Sequence, residues 1–140
     1  MRFISLLFIF FFTQNGIAQH NLKFDESDYQ TVLNRSKVEQ KRIFIMLYAN
    51  WCPHCNKMKR EVFSDPSVME LLNKNYICTW QDVEKSEGIM LKTKFKTTSL
   101  PSFLFLDSNE TILYSLQGEY SLNNFISEIQ NALDPKKNFY

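Results

Sequence analysis

Metal-ligating side chains are scarce in this chain of 140 residues, which has two histidines, His20 and His54, and three cysteines, Cys52, Cys55 and Cys78. A structural zinc site takes four ligands, usually two cysteine pairs or one pair with two histidines. Here one histidine lies inside the only close cysteine pair and the other lies near the N-terminus, so no metal is expected. A c-type haem attachment would need histidine directly after Cys55, where Asn56 stands. Charge of one sign is lacking too. Sixteen basic residues face fifteen acidic ones, and loss of Arg2 with the leader described next would leave the two signs balanced. That gives no electrostatic footprint for nucleic acid or an anionic membrane surface. Repeats, low-complexity segments and domain linkers are absent.

Long hydrophobic runs are missing as well. Phe3 to Phe12 is apolar except for Ser5, and about ten residues cannot span a bilayer core of roughly 30 Å. With Arg2 before it and Gly16-Ile17-Ala18 after it as a small-x-small cleavage site, the run reads as a secretory signal peptide. Residues 1–18 are therefore expected to be removed near Ala18, and the protein to be exported, periplasmic or secreted. An uncleaved anchor is the alternative. Residues 19–134 make one domain, long enough to bury a core, with a loose tail at 135–140.

An odd number of cysteines in an exported chain rules out a fully paired framework. The informative stretch is Ala49-Asn50-Trp51-Cys52-Pro53-His54-Cys55. Two cysteines separated by two residues can close a small disulfide ring where a helix begins. The free amides and dipole of that helix favour negative charge on the first sulfur. The thiolate is the nucleophile of disulfide exchange, so Cys52 is placed to be reactive. Pro53 suits the first turn, where its missing N–H removes no needed bond. The pair reads as a redox dithiol, with a static structural disulfide as the plainer alternative. His54 can favour the Cys52 thiolate, or it can be a solvated helix residue. Trp51 is either part of a docking surface or a core tryptophan. Cys78 lies in an apolar strand-like run and reads as a buried small hydrophobe, with a regulatory or intermolecular thiol as the alternative.

In chain order, Ser27 is expected to cap a helix with Tyr29, Val32, Leu33 and Val38 inward. Arg42 to Ala49 is a continuous apolar run, the pattern of a central strand covered on both faces. A helix follows from Cys52 to about Phe63 with Cys55, Met58 and Val62 inward, and another starts at Asp65-Pro66. Tyr76 to Asp82 is a strand, and Glu84 to Phe95 a helix weakened by Gly88. Ser102 to Leu106 and Thr111 to Leu116 form a hairpin, and a helix capped by Ser121 closes the chain. Met46, Met58, Met69 and Met90 fall on apolar faces and read as core. Strands alternating with helices give an α/β fold, a central mixed sheet with helices on both faces.

Trp51-Cys52-Pro53-His54-Cys55 after an apolar strand, and Leu100-Pro101 before the next-to-last strand, make the sequence resemble the thioredoxin superfamily over almost the whole mature chain. Within it, Leu47-Tyr48-Ala49-Asn50-Trp51-Cys52 and Phe63-Ser64-Asp65-Pro66-Ser67-Val68 look most like the periplasmic C-terminal domain of the DsbD reductase. Pro53-His54 is instead like the central dipeptide of the DsbA oxidases. The resemblance implies a thioredoxin fold and a thiol:disulfide oxidoreductase with Cys52 as nucleophile and Cys55 as resolving thiol. It implies a cis-proline at Pro101, with Trp51, Leu100 and Pro101 meeting the substrate. The frame favours reductase or thiol-delivery activity, and the central dipeptide favours an oxidase or isomerase.

One position departs from that family. A buried acid is expected six residues before the first cysteine, and Met46 stands there, which bears on how Cys55 loses its proton. A non-catalytic binding module on the same fold is the alternative this leaves open. The implied partners are protein thiols and disulfides in the export compartment, with a membrane protein as one candidate electron donor. The chain is expected to be a monomer needing no cofactor beyond the Cys52–Cys55 disulfide.

Overall fold

The computed structural model describes residues 24–138; the expected signal peptide, His20 and the last two residues of the tail lie outside them. The elements in order are α1 (Tyr29–Glu39), β1 (Arg42–Tyr48), α2 (Pro53–Lys57) continued by a π-helical turn (Met58–Val62), and α3 (Pro66–Asn75). There follow β2 (Tyr76–Asp82), α4 (Ser86–Lys94), β3 (Ser102–Leu106), β4 (Ile112–Gln117) and α5 (Leu122–Leu133). The four strands form one mixed sheet in the order β2-β1-β3-β4. β1 runs parallel to β2 and antiparallel to β3, and β3 and β4 are antiparallel.

The apolar run of β1 is buried on both sides because successive side chains alternate between faces. Ile43, Ile45 and Leu47 pack with Leu104 and Leu106 under Tyr29, Val32 and Leu33 of α1 and Leu91 of α4. Phe44 and Met46 point the other way, into a cluster with Phe103, Phe105, Cys55, Met58, Leu72 and Phe125. Helices α1 and α4 thus cover one face, and α2, α3 and α5 the other. Aromatic rings fill the second cluster: Phe103 meets Phe125 edge-on at 5.0 Å and Phe44 lies 5.1 Å from Phe105 between ring centres.

Several local expectations change. Asp28, not Ser27, caps α1, its carboxylate accepting the Thr31 amide at 2.9 Å. Ser27 instead donates to Asp25. Val38 is 84% exposed, because its position turns it off the α1 stripe onto the solvent side. Met90 is likewise exposed on α4, while Ala132 joins the buried side of α5. In the described part of the tail, Lys137 Nζ donates to Asn131 at 2.7 Å. The π-helical turn closes with the Phe63 amide donating to the Met58 carbonyl at 3.0 Å.

Gly88 sits inside α4 for a steric reason. A Cβ there would lie 1.9 Å from the backbone oxygen of Asp82, so only glycine lets α4 lie this close to the end of β2. Gly88→Ala should lower stability by ~2 kcal/mol, since forcing an atom into a filled site outweighs the helix propensity gained. Urea denaturation measures this, and an unchanged midpoint would show that α4 does not sit this close.

Candidate active site

The site forms where β1 turns into α2. Cys52 is the N-cap, with extended backbone, and its sulfur accepts the Cys55 amide at 3.2 Å. Pro53 takes the first helical position. One turn of helix brings the two cysteines to a Cα separation of 5.3 Å, and they are joined as a disulfide. Cys52 keeps 3% of its surface and Cys55 none. In the disulfide-bonded form both sulfurs are therefore buried, Cys55 fully and Cys52 nearly so.

Neighbouring elements hold this junction. Asn50 donates to the Asp82 carboxylate at 3.1 Å, and Asp82, nearly buried at the end of β2, also accepts the Glu84 amide at 3.0 Å. Trp51 is 68% exposed, its indole N–H donating to Glu84 at 3.1 Å. The core-tryptophan alternative is therefore excluded, and the ring is presented beside the dithiol. Leu100–Pro101 is a cis peptide bond. Because Ser102 pairs with Leu47, Pro101 lies at the end of β1 that leads into the dithiol. Pro101 is buried, Leu100 half-buried, and the Pro101 carbonyl accepts the Gly118 amide at 2.8 Å.

His54 is exposed, with Nδ1 2.7 Å from a carboxylate oxygen of Glu119. Lys57, one turn further along, pairs with the other oxygen of the same carboxylate. The His54 contact first, then the Lys57 hydrogen bond, hold the Glu119 carboxyl below its ordinary range. Glu119 lies 65 residues from His54 in sequence, and no motif signals it.

A second group missed by sequence reasoning surrounds Lys59. Its ammonium lies 3.2 Å from the centre of the Tyr48 ring and 4.8 Å from that of Trp80, a geometry that attracts a cation to the ring faces. Burial pushes the Lys59 amine down, opposed by the Asp82 charge. The extra residue of the π-helical turn accompanies this placement, and such turns recur near functional sites. The position expected of a buried acid holds Met46, which is fully buried in the cluster containing Cys52 and Cys55. Among the described residues, no three His, Cys, Asp or Glu are grouped so as to hold a metal ion.

A dithiol at a helix start, the first sulfur capping the helix and the second one turn further on, is an arrangement for thiol–disulfide exchange. Residues 25–108 match the thioredoxin-like family. The chain belongs to that family. It is 30% identical over 129 residues to the thiol:disulfide interchange protein DsbD of Yersinia pestis, covering 84% of this chain and 21% of that protein. The thioredoxin-related protein DsbJ of Chlamydia pneumoniae is 26% identical, covering 64% of this chain and 28% of DsbJ. The chain thus spans about a fifth of the length of the DsbD relative it matches. Among solved structures, a thioredoxin from Thermus thermophilus aligns with a TM-score of 0.72 at 22% identity, covering 81% of this chain and 88% of that one. The oxidised C-terminal domain of DsbD from Neisseria meningitidis aligns at 0.64 and 19%, covering 74% and 90%. These structural likenesses carry the thioredoxin fold.

Cys78 is the free thiol that the family assignment leaves over. It is buried in β2, and burial pushes its thiol up to about 12. Reduced protein in native buffer at pH 8 should release two equivalents from a disulfide dye, the first by attack of Cys52 and the second as Cys55 resolves the mixed disulfide, and Cys78 should react only in denaturant. Three thiols reacting at one rate would contradict the burial.

Proposed function

We propose that this chain is an exported thiol:disulfide oxidoreductase acting on protein disulfides, as a reductase or thiol donor rather than an oxidase. The observation that carries the reading is the N-cap position of Cys52, its sulfur hydrogen-bonded to the Cys55 amide. The partial positive charge of a helix start stabilises a thiolate there. The Cys52 thiolate attacks a substrate disulfide, forming a mixed disulfide and releasing one substrate sulfur as thiolate. Cys55, deprotonated, then attacks the Cys52 sulfur, releases the second substrate thiolate and leaves the Cys52–Cys55 disulfide. Two electrons pass to the substrate. An external dithiol donor, a membrane protein among the candidates, returns them, and no metal or organic cofactor takes part.

In this reading His54 tunes the Cys52 thiolate and Pro53 sets the first helical turn. Trp51, Leu100 and Pro101 form the surface that meets the substrate, and the protein works as a monomer. The apolar leader at 1–18 supports export, and no helix among the described residues is long and apolar enough to cross a membrane. The similarity to DsbD supports the reducing direction. A non-catalytic binding module is the second reading, favoured by Met46 in place of the expected acid.

Reduction of insulin by dithiothreitol separates them. The protein should accelerate it, and Cys52→Ser should abolish the acceleration; equal rates with and without protein would leave the binding module. Equilibration with glutathione reads the direction. A potential between about −270 mV and −120 mV, nearer the first, is expected; one near the second would make the protein an oxidant.

A further inference from the structure

Helix α4 presents a face that the exchange chemistry does not use. Ile89, Lys92 and Thr93 recur at the spacing that places residues on one side of a helix, and Lys96 follows just beyond its end. This face and the segment leading to the cis-proline bound a groove of about 470 Å³, lined by Val83, Ile89, Lys92, Lys96, Thr97 and Thr98 among others. Ile89 is 53% exposed and adds an apolar side chain to the groove. No acidic residue lines the groove.

The groove is basic by construction. Lys94, on the same helix, is neutralised by Glu110 at 2.5 Å, but Lys92 and Lys96 have no carboxylate partner among the described residues. The chain turns out of α4 with the Lys96 amide donating to Thr93 and the Thr97 amide to Lys92, at 3.2 and 3.1 Å. This pattern puts a left-handed residue after the helix, where glycine is usual. Lys96 takes that conformation, with φ +52°, and adds a second ammonium at the groove.

Both walls connect to the dithiol. The Val83 amide donates to the carbonyl of Tyr48 at 2.8 Å, at the end of the strand that leads to Cys52. Thr97 and Thr98 run through Ser99 and Leu100 into the cis bond at Pro101. The groove is thus built on segments that run to Tyr48, at the end of the strand before Cys52, and to the cis bond at Pro101.

We propose that the α4 groove docks an acidic, extended segment of the disulfide-bearing partner protein, acidic side chains on Lys92 and Lys96 and an apolar one on Ile89. This rests on the oxidoreductase reading and adds partner selection to it. Charges at the rim of such a contact act mainly on association rate and on its salt dependence.

Two synthetic peptides with the same disulfide test the groove, one flanked by Asp and Glu and one by Lys, with the flank placed at several distances. Reduced protein at low salt should react with the best acidic peptide about fivefold faster than with its lysine counterpart. The advantage should collapse at 0.5 M salt, where screening acts within roughly 4 Å. It should shrink in Lys92→Gln/Lys96→Gln and reverse in Lys92→Glu/Lys96→Glu. All variants should react normally with the neutral bis(2-hydroxyethyl) disulfide, which reports both folding and an intact dithiol. No acidic preference in the parent, or one that survives both double variants, would overturn the proposal. So would equal competition by single-stranded DNA, which would reduce the groove to a general anion surface. Anisotropy of a dye-labelled acidic peptide lacking the disulfide reads docking alone. If that peptide binds while the neutral disulfide is not reduced, the groove stands and the oxidoreductase reading fails.

Discussion

Everything in this protein depends on the point where β1 stops and α2 starts. β1 is fixed by two neighbouring strands and by packing on both faces, so the position of its end is set by the whole core. Cys52 follows that end and serves as the cap of the helix, with its sulfur taking the Cys55 amide. An ordinary cap presents a hydroxyl or carboxylate oxygen. A sulfur in this position satisfies the same backbone donor, and the field that would stabilise an anion there acts on a nucleophile. Pro53 makes the turn stiff, and the next cysteine lies one turn on, out of solvent.

Around this junction two polar clamps tie distant loops to the active helix. Asp82 holds Asn50, and the Glu84 beyond it holds the Trp51 indole. On the other side Glu119 grips His54 and Lys57 together. Each clamp reaches from the end of one strand to the segment around the dithiol, so the redox loop is restrained from both flanks. Beneath it the core offers no charge: Met46 and Met58 are wholly buried.

The elements were legible where local pattern decides them. The continuous apolar run of β1, the Asp65-Pro66 start of α3 and the limits of β3 follow from hydrophobic pattern and cap chemistry alone. The cysteine pair with a proline at the first helical position was enough to mark the site. The thioredoxin resemblance supplied the cis bond at Pro101, which the residues themselves do not encode. Side-chain orientation at the edges was less legible: Val38 and Met90 are apolar residues that face water because the helical repeat turns them outward. Glu119, Asp82 and Lys59 were invisible for a different reason. Their roles come from contacts between different elements, 11 residues apart for Lys59 with Tyr48 and 65 for His54 with Glu119, and such contacts leave no periodic trace. Gly88 looked like a weakness in a helix and is instead what lets that helix approach β2.

The most direct measurement is the rate at which reduced protein is alkylated by iodoacetamide across pH, with the modified residue identified by mass spectrometry. Cys52 should react first, along a titration curve whose inflection falls below about 8.5, the ordinary value for a free thiol. Alkylation led by Cys55, or an inflection at the ordinary value, would contradict a sulfur held as an anion by the start of α2.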